Sequence, residues 1–288
     1  MGFRVVTVNN HSKLSYQNNH LIYKSETQIE KIFIADIDVL MLETTNIAIT
    51  TALLHKLIEK NVLVIFCSEK RLPSSYLMPY YARHDSSLQL QKQIEWGEDI
   101  KSNVFLDITN QKIKNQAKFL AYRNFLDKSK SILMMLDGLS VKDPENKEAH
   151  AARTYFNTLY GNNFSRELPI DINAGLDYGY TLLMSLFARE IVKCGCMTQL
   201  GINHKNQFND FNFASDVMEP FRPLVDEIIY EYREKSFSVM KRRLLDLFTN
   251  TYDYQNQKMY LTNIVSDYTK KIIDCLHADK LDVPKFEI

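Results

Sequence analysis

The chain has 288 residues, 45% of them hydrophobic, and its 35 lysines and arginines are balanced by 35 aspartates and glutamates. That apolar fraction excludes a disordered chain and suffices for two modest cores, while zero net charge argues neither for nor against a nucleic-acid partner, so only local clustering carries information. No apolar run nears the ~20 residues that cross a bilayer, and Cys67, Cys194, Cys196 and Cys275 lack the spacing of a zinc ribbon, so the sequence predicts a soluble, intracellular protein of a reducing compartment.

The N-terminal part, to about Tyr80, reads as β structure. Phe3 to Val8, Leu14 to Tyr16, Leu21 to Tyr23, Ile32 to Ile34, Val39 to Leu42 and Val62 to Phe66 carry the β-branched and apolar residues of short strands. Asn18-Asn19 between two of these runs predicts a hairpin turn. Leu53, Leu54, Leu57 and Ile58 recur at helical spacing, so Thr50 to Lys60 is expected to be a helix packed on the sheet.

From about Ser86 the pattern turns helical. Leu88, Leu90, Ile94, Trp96 and Ile100 open a long helical region with little glycine or proline until Gly138, and a loop from Ser140 to Asp143 follows. Asp143-Pro144 predicts the next helix start, with the carboxylate as N-cap and proline at the first helical position. Tyr178 to Ala188 is apolar on nearly every side, as in a helix buried within a bundle. Leu224 to Tyr230, Met240 to Phe248 and Tyr260 to Leu276 are further amphipathic candidates. With the break near Tyr80 to Asp85, the expected fold class is α+β multidomain. A small β-rich N-terminal domain, residues 1–82, precedes a larger all-α C-terminal domain, residues 83–288.

One stretch of the helical part concentrates chemistry: His204, Asp216 and the run Glu219-Pro220-Phe221-Arg222-Pro223-Leu224-Val225-Asp226. A metal that drives phosphoryl transfer takes hard oxygen ligands, tolerates one imidazole and keeps positions open for a phosphate oxygen and the attacking hydroxyl. Glu148 is the candidate for the remaining ligand. Stepping back four residues from Ala152, on a stripe with Tyr155 and Leu159, sets Glu148 on an apolar face and past the first turn, where a helix dipole no longer accounts for it. Plainer readings stand beside each: Glu148 as a rim carboxylate reaching water, His204 as a hydrogen-bonded group near a helix end, Glu219 as the partner of Arg222 three residues on. Asp216 and Glu219 are also three apart, so on a helix both project to one side and call for a cation or a basic partner.

Lys112, Lys114, Lys118, Arg123, Lys128 and Lys130 are opposed only by Asp127 between residues 111 and 130, a basic flank that is either solvated surface or a phosphate track. Tyr178 and Tyr180 offer hydroxyls for a covalent, recombinase-like route, against simple burial in the apolar run around them. Cys194-Gly195-Cys196 lacks two further ligands for a closed soft-metal site. There is no Gly-x-Ser-x-Gly elbow, phosphate loop or dinucleotide fingerprint.

Several strings together carry a resemblance over nearly the whole chain. They are Leu42-Glu43-Thr44-Thr45 and Val62-Leu63-Val64-Ile65-Phe66-Cys67, then Arg83-His84-Asp85-Ser86-Ser87-Leu88-Gln89-Leu90 and Glu148-Ala149-His150-Ala151-Ala152-Arg153. Asn173-Ala174-Gly175-Leu176-Asp177-Tyr178-Gly179-Tyr180-Thr181-Leu182-Leu183 and the Glu219 to Asp226 run are the most specific. The chain resembles the CRISPR-associated spacer-acquisition integrases, the universal adaptation endonuclease and integrase, in the type II-A form.

The resemblance implies that Glu148, His204 and Glu219 are catalytic and bind a divalent metal, Mg2+ or Mn2+, with Asp216 as a supporting or alternate ligand. Aspartate is frequent at the Glu219 position in that family, so the glutamate is a small departure. It implies attack of a 3′-hydroxyl on a phosphodiester, inserting short double-stranded DNA with 3′ overhangs into CRISPR repeat DNA, with no covalent protein intermediate. It further implies a homodimer that forms a heterohexamer with a small ferredoxin-like adaptation partner, contacts with the RNA-guided effector nuclease and other adaptation proteins, no membrane, and a bacterial cytoplasmic setting. DNA contacts are expected at His11 and Lys13, in the turn from Asn9 to Lys13, and at Lys205 and Arg222. From the residues alone, His11 is a hairpin-loop histidine and Arg222 a neutralising partner of Glu219. The alternative is a DNA-binding assembly subunit whose metal site is structural.

Overall fold

The computed structural model describes residues 2, 4–80, 82–141 and 143–288; the expected strand start at Phe3, and Tyr81 and Lys142 of the expected boundary and loop, lie outside them. In chain order, β1 (Arg4–Val8), β2 (Ser12–Gln17), β3 (His20–Lys24), β4 (Ile29–Phe33), β5 (Ile37–Leu42), β6 (Ile47–Ile49), α1 (Thr51–Glu59), β7 (Leu63–Cys67) and β8 (Pro73–Tyr76) build two four-stranded sheets, ordered β1-β5-β7-β8 and β4-β3-β2-β6. The first is parallel except for β8, and the second is an antiparallel meander that β6 joins in parallel. Asn18 and Asn19 make the expected hairpin turn with φ of 48° and 63°, the left-handed pair whose twist matches the flanking strands. The short edge strands β6 and β8 have no counterpart among the expected elements.

Every residue of β5 is buried. Leu40 and Leu42 join Leu14, Leu21, Leu53 and Leu57 in a core built from the two sheets and α1, whereas Val39 and Met41 join the core of the helical part. β7 divides the same way, with Val64 in one core and Leu63, Ile65 and Cys67 in the other. A strand covered on both faces must be apolar at both parities, which is why these runs show no alternation. The first sheet therefore packs directly on helices.

The helices are α2 (Ser86–Ile94), α3 (Glu98–Tyr122), α4 (Leu126–Met134), α5 (Lys147–Tyr160), α6 (Asp171–Lys193), α7 (Asn212–Val217), α8 (Arg222–Glu231), α9 (Phe237–Leu244), α10 (Asp246–Thr249) and α11 (Leu261–Ala278). The expected run Met240 to Phe248 is two short helices. The part expected to be all-α also holds one hairpin, β9 (Thr251–Tyr254) and β10 (Gln257–Tyr260), turned by Gln255 and Asn256 at φ of 49° and 63°. α6 is the buried central helix foreseen, with Leu176, Leu182, Leu183, Leu186 and Phe187 fully enclosed. Gly179 lets α8 and α9 close on it, since a Cβ there would lie 2.4 Å from Val225 Cγ1 and 3.0 Å from Leu244 Cδ2. Residues 279–288 form no helix or strand but lie along α3: Gln111 Nε2 donates to Pro284 O at 3.0 Å, and Phe286 N–H donates back to Gln111 Oε1 at 3.0 Å. Among the described residues, no helix is long and apolar enough to cross a membrane.

Candidate active site

α3 runs past both candidate carboxylates and places an ammonium between them. Lys112 Nζ lies 2.7 Å from Glu148 Oε1 and 2.6 Å from Glu219 Oε2. The helix that carries Glu148 starts at Lys147 rather than at Pro144. Asp143 still caps it, from a tight turn in which Asp143 and Asn146 take positive φ: its Oδ1 accepts the Lys147 N–H at 2.9 Å and its Oδ2 the Glu148 N–H at 2.8 Å. Glu148 thus lies in the first turn, where the helix dipole favours a carboxylate, which corrects the expectation that it lies beyond. Its buried stripe continues through Ala151, Tyr155 and Leu159 instead of Ala152, and the side chain remains 30% exposed at the rim.

Glu219 stands in a 3-10 turn, Glu219–Phe221, that joins α7 to α8. Its carboxylate is buried at 4% exposure. Burial by itself pushes the pKa up, but the Arg222 guanidinium and the Lys112 ammonium overcome it and hold the group down at about 2. Arg222 Nε donates to Glu219 Oε1 at 2.8 Å, so the plainer reading of this pair is correct as geometry. The guanidinium also sits over the Tyr180 ring at 4.5 Å. Lys112 Nζ closes on the other oxygen, Glu219 Oε2, as a buried ion pair at 2.6 Å.

Asp216 and Glu219 do not share a helix face, because α7 ends at Val217. The fully buried Asp216 anchors the loop that carries His204. Its Oδ2 accepts the N–H groups of Ile202 at 2.7 Å and Asn203 at 3.0 Å, and its Oδ1 accepts the N–H of His204 at 3.1 Å and pairs with His204 Nδ1 at 2.5 Å. Gly201 makes room for this wrap, since a Cβ there would fall 2.4 Å from His204 O and 2.7 Å from Asp216 Oδ2. The hydrogen bond to Asp216 raises the His204 pKa against desolvation and fixes which ring nitrogen remains for other work. Phe105 stands edge-on to the imidazole at 6.2 Å. A cleft of about 330 Å³ is lined by Phe105 and Thr109 of α3, Asp143, Glu148 and Asn203 among others, and a second of about 430 Å³ by His204 and Lys205 among others.

Glu148 and Glu219 are therefore brought to one point, and Asp216 holds His204 within electrostatic reach of Glu219. Among the described residues no three His, Cys, Asp or Glu side chains are gathered as a metal-holding cluster; the cation between the glutamates is Lys112. The donor types nevertheless suit a divalent ion: two hard carboxylates, one of them buried, and an imidazole oriented through its other nitrogen by a carboxylate. Lys205 is 64% exposed and pairs with Glu98 at 3.2 Å. Lys13 is exposed on β2, and the exposed His11 lies on the link between β1 and β2. Those strands belong to different sheets, so His11 is not in a hairpin loop.

Three features escaped the sequence reading. Lys112 falls among the residues of the basic flank but is only 12% exposed. Its signal was the stripe Val104, Ile108, Lys112, the same pattern that marked Glu148. Asp226 is buried and accepts hydrogen bonds from the hydroxyls of Tyr155, at 3.0 Å, and Tyr180, which places Tyr180 in a buried network and away from the cleft. Residues 284–288 brace the Glu219 turn and show no periodicity by which to find them.

The family model of the CRISPR associated protein Cas1 matches residues 5–238. The CRISPR-associated endonuclease Cas1 of Neisseria meningitidis serogroup C (strain 8013) is 33% identical over 236 residues, covering 81% of this chain and 77% of that protein. Among solved structures, the fold is similar to a casposase bound to integration product, with TM-score 0.76 and 18% identity over 98% of this chain and 92% of that one. It is also similar to a chain of the Cas6-RT-Cas1–Cas2 complex, with TM-score 0.74 and 16% identity over 96% of this chain, which spans 35% of that chain's length.

Proposed function

Because the chain belongs to the CRISPR-associated Cas1 family, we propose that it is a divalent-metal-dependent DNA integrase and endonuclease that inserts short double-stranded fragments with 3′ overhangs into CRISPR repeat DNA. The observation that carries this reading is the convergence of Glu148, on α5, and Glu219, in the turn before α8, on one cation beside an open cleft. Glu148, Glu219 and His204 hold Mg2+ or Mn2+, the imidazole favouring Mn2+. When bound, that ion neutralises charge developing on the phosphate and activates the attacking hydroxyl.

The chain's own residues then position the reaction. Asp216 keeps His204 in one orientation through Nδ1, and Arg222 holds the Glu219 carboxylate ionised. Lys205 and Arg222 flank the site for phosphate, while His11 and Lys13 contact the end of the duplex. The working assembly is a homodimer combined with a small ferredoxin-like partner as a heterohexamer, in the bacterial cytoplasm, alongside the RNA-guided effector nuclease and other adaptation proteins. That a neighbour in fold is a chain of a Cas6-RT-Cas1–Cas2 complex supports the partner in this reading.

A structural metal is the weaker reading, since Lys112 and Arg222 already neutralise both carboxylates. The test is a strand-transfer assay on a labelled fragment and a repeat-containing target, with defined metals, with and without the small partner. Glu148→Ala is expected to abolish transfer while leaving the helical circular dichroism intact. Normal transfer by this variant would defeat the assignment.

A further inference from the structure

We propose that Lys112 is the resident counter-ion of the carboxylate pair, displaced when a divalent cation enters and then free to engage the phosphate of bound DNA; the inference rests on the metal-dependent reading above. Four charges meet here. Glu148 and Glu219 carry two negative charges, and Lys112 and Arg222 carry two positive ones. The buried cluster is balanced without a metal, so it folds without one.

The two cations are not held alike. Arg222 is fixed by Nε on Glu219 Oε1 and by stacking over Tyr180. Lys112 is a point charge on a flexible stem, shared between two carboxylates on different elements. A divalent ion held by both carboxylates would compete with the ammonium for the place it now holds, since like charges cannot share it. Glu148, at the rim and lining the cleft, marks the way out. Once Lys112 yields, two carboxylates face a divalent ion, an ammonium and a guanidinium. Those five groups would then sum to plus two and attract a phosphodiester.

The test is Mn2+ binding by titration calorimetry, without DNA, to the full-length wild type and to Lys112→Met, which keeps the stem and removes the charge. The variant is expected to bind Mn2+ about tenfold more tightly, because a competing occupant is gone. It should also melt lower than wild type in EDTA, recovering when Mn2+ is added. Should the Met variant not fold, Lys112→Gln takes its place. In Ca2+, DNA binding by the variant should weaken several-fold relative to wild type. Wild type binding Mn2+ as tightly as the variant or more tightly would overturn the inference and leave the metal-dependent reading standing. Failure of both proteins to bind Mn2+ would bring down both.

Discussion

Phe286 lies face to face with Phe221, ring centroids 4.0 Å apart and planes 12° from parallel, so residues 284–288 press on the turn that carries Glu219. Asn115 completes the grip, its Nδ2 donating to Pro220 O at 2.9 Å and to Phe286 O at 3.1 Å. Phe286→Ala removes a ring buried to 1% exposure, which costs about 3–5 kcal/mol, and loosens the 3-10 turn. Leu53→Ala, in the core between the sheets, is the control at about 2–5 kcal/mol. Under conditions where both variants are folded by circular dichroism, Phe286→Ala should lose strand transfer while Leu53→Ala retains it. Equal activity would count against a positioning role for this segment.

The two carboxylates on Lys112 differ in burial, and their neutral variants should separate stability from activity. Glu219→Gln leaves Lys112 and Arg222 facing an uncharged buried partner, a change expected to cost about 3–5 kcal/mol. Glu148→Gln breaks a pair at a side chain 30% exposed, where solvent screening limits the cost to about 0–1 kcal/mol. Urea denaturation should show that difference, and strand transfer should be lost in both. A Glu148→Gln protein with wild-type transfer, or a Glu219→Gln protein with unchanged stability, would contradict the arrangement described.

Local chemistry was legible in the sequence, and three-dimensional convergence was not. The Asn18-Asn19 turn, α1 and α6 follow from turn residues and apolar period, which act over a few positions. Glu148 was found because a carboxylate on an apolar stripe is costly unless matched. Lys112 carries the same signal four residues past the fully buried Ile108, but Lys114 and Lys118 beside it made the segment read as solvated surface. Nothing near Glu148 in the chain announces that α3 meets both glutamates. The spacing of Asp216 and Glu219 misled for a local reason: α7 stops at Val217 and the 3-10 turn re-aims Glu219. β9 and β10 are four residues each, too short for periodicity to separate from a loop.

Asp226 should give stability a pH dependence of its own. Burial pushes its pKa up, against hydrogen bonds from Tyr180 and Tyr155, to about 6 from an ordinary 3.8. The folded chain therefore holds a proton that the unfolded chain has released between those values, and stability falls as pH rises through that window. Above it the ionised, buried carboxylate carries a standing cost on the order of 3 kcal/mol. Asp226→Asn does not titrate, so its urea midpoints from about pH 4 to pH 7 should lack the decline that wild type shows. A wild-type profile rising from pH 4 to pH 6 as steeply as in the variant would remove this account.

Removing metal should separate catalysis from folding. Lys112 and Arg222 supply two positive charges to the Glu148 and Glu219 carboxylates, so the chain in EDTA should unfold cooperatively with its ordinary urea slope while strand transfer is lost. Adding Mn2+ at a hundredfold excess over its dissociation constant stabilises the folded state by about 2.7 kcal/mol through mass action alone. A structural ion behaves differently, because its binding energy, on the order of 10 kcal/mol, is folding energy. Melting curves in EDTA, and then along a Mn2+ titration, distinguish the two: a modest, saturating rise fits a catalytic ion, whereas an unfolded baseline in EDTA would make the site structural and return the chain to the role of a DNA-binding assembly subunit.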